Sequence, residues 1–178
     1  MKRSFTTLGC PDWSFERVLS QAAAMGYEGI EIRGVDGEMF ADKIAQFKPG
    51  VQRDTLRALA KAGLMMCGFG TSVNFHDAAK TDDMLAQGKA AIDVCHAMGI
   101  PAIRVFGDKI GDADEQTIIG QVISGIQALC DYAQGSAVQV LLEVHGDFNT
   151  LERVQAVARG VARPNAGILW DIEHSDKV

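Results

Sequence analysis

Two carboxylates near the C-terminal end of the chain each precede a histidine at short spacing. Glu143 stands two residues before His145, and Asp171 stands three residues before His174. Carboxylate oxygens and imidazole nitrogens are the ligands that Mn²⁺, Mg²⁺, Co²⁺ and Zn²⁺ take in proteins. Either carboxylate alone would be interpreted as an ordinary polar residue where a strand meets solvent. Because the arrangement occurs twice, the sequence predicts a divalent-metal site.

Short apolar runs precede both pairs and predict the strands that position them, at residues 138–144 and 167–170. Similar runs occur at residues 4–8, 29–32, 64–68 and 102–106, and helical signals separate them. Strict alternation of strands and helices predicts a parallel sheet with right-handed crossovers. Because Glu143 and His145 share strand parity, both side chains can face one interior.

Two parallel architectures fit this alternation: an open doubly wound sheet and a closed (β/α)₈ barrel. An open sheet usually carries a glycine-rich phosphate-binding loop after its first strand. Residues 9–13 (GCPDW) do not have that character. Barrel enzymes place their chemistry at the C-terminal ends of strands, where Glu143 and Asp171 are predicted to stand. The sequence therefore favours an α/β barrel, organised as a single domain over residues 1–178.

Four segments make the chain resemble the xylose isomerase-like barrel superfamily, and especially its sugar phosphate isomerase/epimerase branch. They are GYEGIEIR at residues 26–33, AIRVFG at 102–107, LEVH at 142–145 and WDIEH at 170–174. The resemblance implies a TIM-barrel-type fold in which residues on strands five, six, seven and eight hold a divalent metal. Glu143 matches the first of these ligands, and Asp171 matches the second.

The resemblance also implies the chemistry of this site. Glu143 would be both a metal ligand and the catalytic acid/base, and His174 would contact the substrate. The metal, which would be Mn²⁺, Mg²⁺, Co²⁺ or Zn²⁺, would polarise neighbouring carbonyl and hydroxyl oxygens and stabilise an enediolate. The implied function is isomerisation or epimerisation of a sugar or sugar phosphate.

Other polar residues receive predictions from their positions. His145 is predicted to bind substrate or to orient Glu143, with a plain loop histidine as the alternative. Glu31 and Arg104 fall in the second and fourth predicted strands, which contribute to the same interior layer of a barrel. Since a buried charge requires a partner, these two residues are predicted to form a structural ion pair. His76 is interpreted as a structural residue in a loop.

The chain departs from the family's pattern after its sixth predicted strand. Only seven residues follow Asp171, whereas a (β/α)₈ barrel typically needs about 250 residues. Strands seven and eight, two metal ligands and the second glutamate are therefore expected to be absent from this C-terminally incomplete barrel. The chain is expected to bind metal weakly and to have little or no activity. A non-catalytic remnant or truncated scaffold is one alternative, and a metallo-endonuclease of the same superfamily is another.

Composition narrows the range of partners. The formal net charge of −6, without a cluster of Lys and Arg, argues against nucleic acid, and no apolar stretch approaches the length of a membrane span. The four cysteines form no CxxC pair, which suits a reduced, cytoplasmic setting. The expected partners are a small-molecule sugar and further copies of the chain, in a homo-oligomer that covers the open barrel edge.

Overall fold

The computed structural model describes residues 2–175, which form six strands and six α-helices. The strands are β1 (Ser4–Thr6), β2 (Gly29–Ile32), β3 (Met65–Asn74), β4 (Ala102–Phe106), β5 (Gln139–Glu143) and β6 (Ala166–Leu169). The helices are α1 (Phe15–Ala24), α2 (Gln52–Lys61), α3 (Thr81–Met98), α4 (Glu115–Tyr132), α5 (Leu151–Val161) and the short α6 (Ile172–Ser175). Strands and helices alternate as the sequence predicted.

One parallel sheet contains all six strands, in the order β1-β2-β3-β4-β5-β6. The predicted α/β fold of the TIM-barrel type, with about six parallel βα units, is therefore confirmed, and within residues 2–175 the sheet is not closed. In the last strand pair, Glu143 lies in register with Leu169, so β5 and β6 end at the same edge of the sheet. That edge carries the residues that follow both strands, including the two predicted carboxylate–histidine pairs.

The chain divides into two compact units. The first comprises the chain up to Thr71 together with Ala90–Ala102, and the second comprises Ser72–Lys89 together with the chain from Ile103. The second unit contains α4, whose apolar positions recur at helical spacing on one face. That face is buried and consists of Ile118, Ile119, Val122, Ile126, Leu129 and Cys130. The organisation of residues 1–178 as a single domain stays a prediction.

Side-chain caps stand at the starts of α4 and α5, two helices of the second unit. Asp114 accepts a hydrogen bond from the backbone N–H of Thr117 at 2.8 Å at the start of α4. Thr150 accepts one from the backbone N–H of Arg153 at 3.5 Å at the start of α5. Each bond satisfies one of the donors that a helix N-terminus leaves without an internal partner.

The third strand is longer than the sequence predicted. The prediction ended at residue 68, whereas β3 continues to Asn74. Residues 68–70 read Gly-Phe-Gly, which suggests a loop. However, the side chains of every second residue from Phe69, namely Phe69, Thr71 and Val73, are buried. That alternation has the period of a strand. His76 therefore follows the end of a strand closely.

None of the helices within residues 2–175 combines the length and the apolar character that crossing a membrane requires.

Candidate metal centre

The ends of β5 and β6 bring the two carboxylate–histidine pairs to neighbouring positions. The backbone N–H of Val144 donates to the carbonyl of Leu169 at 3.0 Å, which holds the two strands together where they end. Beyond β6 the chain turns at once into α6, because the backbone N–H of Ser175 donates to the carbonyl of Asp171 at 3.2 Å. This turn returns His174 towards the end of β5.

Glu143, His145 and His174 form the candidate metal centre. Each offers one ligand atom, and the three atoms lie within 4.8 Å of one another. Glu143 is buried, and both histidines are half-buried. One carboxylate and two imidazoles make a mixed oxygen and nitrogen donor set, which suits Zn²⁺, Mn²⁺ or Co²⁺ better than Ca²⁺.

His145 is held between two rings. Its ring centroid lies 4.7 Å from that of Phe106 and 4.1 Å from that of His174. Burial lowers the pKa of His145, as do nearby His174 and Arg104, while two acidic neighbours act in the opposite direction. A lowered pKa favours the neutral imidazole at neutral pH, which is the form that binds metals.

The buried Nδ1 atom of His145 has no hydrogen-bond partner within residues 2–175. A buried polar atom left without a partner costs roughly 1–3 kcal/mol. An ion or substrate group at this position would satisfy that atom. Together with the close spacing of the three ligand atoms, this makes the cluster fit a divalent ion. The sequence predicted Glu143 and Asp171 as the ligands and the two histidines as substrate contacts, and those assignments stay predictions.

Arg104 pairs with Glu143 beside the metal centre. The Arg104 Nε atom lies 2.8 Å from Glu143 Oε2, and both side chains are about nine-tenths buried. The contact is a buried ion pair. The Arg104 guanidinium also stacks 4.0 Å from the centre of the Phe106 ring. A buried positive charge therefore stands next to the carboxylate that the sequence identified as the catalytic group.

The sequence assigned a different partner to Arg104. Glu31 lies in the first unit, in β2, and is only partly buried. The ion pair between Glu31 and Arg104 stays a prediction, whereas the contact between Arg104 and Glu143 is part of the structure.

Asp171 lies beside the metal centre. Its Oδ2 atom is 4.0 Å from the Nε2 atom of His174, and its Oδ1 atom accepts a hydrogen bond from the backbone N–H of Glu173 at 2.8 Å. The second contact resembles a helix cap, because it satisfies a donor in the first turn of α6. The structure thus brings Glu143, His145 and His174 together and places the predicted ligand Asp171 next to His174.

A second acidic–imidazole contact was not predicted from the sequence. The His76 Nδ1 atom lies 3.5 Å from Asp108 Oδ2, and both side chains are about three-quarters buried. Asp108 has a φ angle of 71°, which is unusual for a residue with a side chain. It follows β4 closely, just as His145 follows β5. The position of His76 after the extended β3 was the signal for this contact, and the predicted end of that strand concealed it.

Comparison with known protein families gives one match. The profile of the family described as xylose isomerase-like TIM barrel matches residues 19–176, which is most of the chain. No protein among those with curated descriptions matches the sequence.

Many solved structures share the fold. The probable 3-DHS dehydratase AsbF from Bacillus anthracis is 22% identical over 99% of this chain, with a TM-score of 0.82. A D-psicose 3-epimerase, crystallised in the presence of D-fructose, is 17% identical over 99%, with a TM-score of 0.80. The IOLI protein, crystallised with a zinc atom, is 19% identical over 98%, also with a TM-score of 0.80. The chain spans 65%, 65% and 64% of the lengths of these three proteins, respectively.

Proposed function

We propose that this chain, which belongs to the xylose isomerase-like TIM barrel family, takes part in the metal-dependent isomerisation or epimerisation of a sugar or sugar phosphate. The observation that carries the proposal is the cluster of Glu143, His145 and His174, with three ligand atoms within 4.8 Å. The family includes sugar epimerases and isomerases, and also dehydratases and endonucleases. Abstraction of a proton from a carbon next to a carbonyl is the step that this proposal requires.

The divalent ion, when bound, would supply Lewis-acid polarisation of the substrate's oxygens. Glu143, His145 and His174 would hold it, and the neighbouring Asp171 would join them or orient His174. Zn²⁺ and Mn²⁺ are the ions that this donor set favours. Since two imidazoles and one or two carboxylates leave positions of the ion open, we expect binding to be weak and sensitive to chelators.

The chain's own residues supply the other parts of the reaction. Glu143 is the buried carboxylate at the cluster, and it would take the proton from the substrate carbon and return it. Arg104, with Nε 2.8 Å from Glu143 Oε2, fixes the direction of this carboxylate and balances its charge. His145 and His174 line the same position, and the half-exposed faces of their rings would contact the substrate's hydroxyl groups.

The test measures ion binding and proton exchange. The purified chain is titrated with Mn²⁺ in a calorimeter and then incubated with Mn²⁺ and D-fructose in D₂O. Deuterium on the sugar carbons is followed by mass spectrometry. We expect weak ion binding and slow exchange that a chelator abolishes. Glu143→Gln should lower the exchange rate by about 10²–10⁴-fold, because it removes the positioned acid/base.

Glu152→Gln is the matched control, because Glu152 is an exposed carboxylate in the first turn of α5. It should change neither ion binding nor exchange. Exchange that continues at the same rate in Glu143→Gln would contradict the role of Glu143. A chain that neither binds ions nor exchanges protons would instead support the alternative of a non-catalytic scaffold.

The cysteines bear on the proposed cytoplasmic location. All four are free and none is fully exposed. Burial raises the pKa of Cys95 to about 12 and that of Cys130 to about 11, so both thiols stay protonated at neutral pH. Buried, protonated thiols act as small apolar groups, and such cysteines suit a reducing compartment.

A further inference from the structure

The loops after β4 and β5 are joined by one carboxylate. Asp147, in the loop after β5, accepts hydrogen bonds on its Oδ2 atom from the backbone N–H groups of Ile110 and Gly111, at 2.7 and 3.4 Å. Both donors belong to the loop after β4. The backbone N–H of Asp147 donates in return to the carbonyl of Asp108 at 2.9 Å. A single residue therefore makes three hydrogen bonds between the two loops.

Two glycines let these loops approach more closely than other residues would allow. A Cβ atom on Gly146 would lie 2.6 Å from the carbonyl oxygen of Asp108, and Gly146 has a φ angle of 57°. A Cβ atom on Gly107 would lie 2.3 Å from the ring of Phe148, which is fully buried. Contacts this short leave little room for one loop to move without the other.

A second connection anchors the same segment to the helices. The Arg153 Nη1 atom, on α5, donates to the carbonyl of Asp147 at 2.7 Å. The Arg153 guanidinium also pairs with Glu115 at the start of α4, with Nε 2.9 Å from Oε1. The loop after β4 thus holds Asp147 through its carboxylate and its backbone N–H, and α5 holds it through its carbonyl.

His145 and Asp147 belong to the same short turn after β5. Its carbonyl accepts a hydrogen bond from the backbone N–H of Phe148 at 3.0 Å, which closes the turn over residues 145–148. Because the turn is closed, displacement of Asp147 must move the backbone of His145. The ring of His145 then loses its place between Phe106 and His174.

We propose that Asp147 is a positioning residue that locks the loops after β4 and β5 together and so fixes the imidazole of His145 at the metal centre. The inference rests on the proposed function, in which His145 holds the ion. Its structural part, the position of the ring, can be measured without any ion. Groups that orient a metal ligand typically change metal affinity by about 10- to 100-fold when removed.

The experiment compares the parent chain with Asp147→Ala and Asp147→Asn. The asparagine variant keeps the shape and one oxygen acceptor for Ile110. The first readout is the nuclear Overhauser effect between the rings of Phe106 and His145, whose centroids are 4.7 Å apart, in metal-free protein. The second is Zn²⁺ affinity by calorimetry. Asp147→Ala should lose the ring contact and bind Zn²⁺ about 10- to 100-fold more weakly. Asp147→Asn should largely restore both.

Asp131→Ala is the control, because Asp131 is a carboxylate on α4 whose hydrogen-bonded partner is the Arg163 side chain. It should leave the ring contact and the affinity unchanged. If Asp147→Ala does not fold, Arg153→Met removes the connection from α5 while keeping a long apolar stem, and it should weaken the same ring contact.

The outcomes separate this inference from the proposed function. If Asp147→Ala keeps the ring contact and the Zn²⁺ affinity of the parent, the positioning role is overturned. If Asp147→Ala does not fold, the same result in Arg153→Met overturns it. If the parent binds no Zn²⁺, the proposed function fails. Loss of the ring contact in Asp147→Ala would then still support the positioning of His145 by Asp147.

Discussion

The ends of β5 and β6 carry similar residues in different surroundings. At the end of β5, Glu143 is buried against Arg104, and the loop that follows is tied to its neighbour by Asp147. At the end of β6, Trp170 is 70% exposed and Ile172 is 67% exposed. Several contacts of this second segment are local, such as the 2.8 Å hydrogen bond from the Trp170 indole to Ser175.

This difference shows how the site obtains its rigidity. A functional side chain is held accurately when packing and hydrogen bonds from other elements fix it. Glu143 and His145 meet this condition, because Arg104 of β4 contacts the first and Phe106 of β4 packs against the second. His174 and Asp171 depend mainly on the turn of α6 that contains them. We infer that the β5 side of the site, which comprises Glu143, His145 and the loop that follows them, is preorganised. The β6 side, which comprises Asp171, His174 and α6, is the half of the site that an ion, a substrate or another chain would order.

The largest expected effect concerns the buried ion pair between Arg104 and Glu143. Arg104→Ala leaves Glu143 as a buried charge without this partner, and losing one partner of a buried pair typically costs about 3–5 kcal/mol. Arg163→Ala is the matched control, because it breaks an arginine–carboxylate pair whose side chains are 32% and 47% exposed. Exposed pairs contribute far less than buried ones, because water screens their charges. Urea unfolding of both variants gives the comparison.

The double variant Arg104→Met with Glu143→Leu sharpens this test. Replacing a buried ion pair with apolar groups of similar size is often neutral for stability, so the double variant should regain most of the loss. If Arg104→Ala and Arg163→Ala unfold at the same urea concentration, the contrast between a buried and an exposed pair is wrong.

Much of the fold could be predicted from the sequence, because local signals agree there with the tertiary structure. Predicted strands at 29–32 and 102–106 coincide with β2 and β4, since each is a short apolar run with a helix-ending glycine shortly before it. Ser14 and Asp114 begin α1 and α4 through a local signal of the same kind, because their side chains accept hydrogen bonds from the nearby backbone. The end of β3 was missed where glycines interrupt an otherwise alternating pattern.

The site was only partly accessible to sequence reasoning. Residue spacing predicted a metal site around Glu143 and Asp171 with His145 and His174 beside it, because strand ends converge in a parallel sheet. It could not show that Arg104 contacts Glu143, since strand parity gives the face of a side chain and not the neighbour it reaches. The role of Asp147 was also hidden, because its bonds run to backbone groups 36 and 37 positions earlier in the chain.

The β6 side leads to a prediction about self-association. Four apolar residues near β6 are between 40% and 70% exposed: Leu151, Ile168, Trp170 and Ile172. The first three line one mostly apolar cavity. Exposed apolar clusters of this kind mark contact surfaces. We expect the chain to form dimers or larger oligomers in light scattering at micromolar concentration. Trp170→Ser with Ile172→Ser should shift the population towards monomer.

Met25→Ser provides the control for association, because Met25 is 56% exposed at the end of α1 and lies in the first unit. It should leave the oligomer unchanged. A monodisperse monomer of the parent chain would rule out this role of the β6 side. An oligomer unaffected by the double serine variant would place the contact elsewhere.

The smallest expected effect concerns the ion pair between Glu115 on α4 and Arg153 on α5. The hydrogen bond from Arg153 lowers the pKa of Glu115 below its ordinary value of 4.5. Because the folded state has the lower pKa, the pair stabilises the fold above pH 4.5, where the carboxylate is ionised in both states. This contribution is lost as the pH falls through the folded pKa.

Glu115→Gln should therefore melt at a lower temperature than the parent at pH 7, and the gap should close as the pH falls through the lowered pKa of Glu115. The expected gap at pH 7 is about 1–3 °C, because exposed pairs contribute little. Glu152→Gln, which removes an exposed carboxylate at the start of the same α5 and leaves the pair between Glu115 and Arg153 in place, is the matched control. If the gap of Glu115→Gln persists undiminished at low pH, the ionised pair with Arg153 is not its cause. The contact would then hold Arg153 against Asp147 by shape rather than by charge.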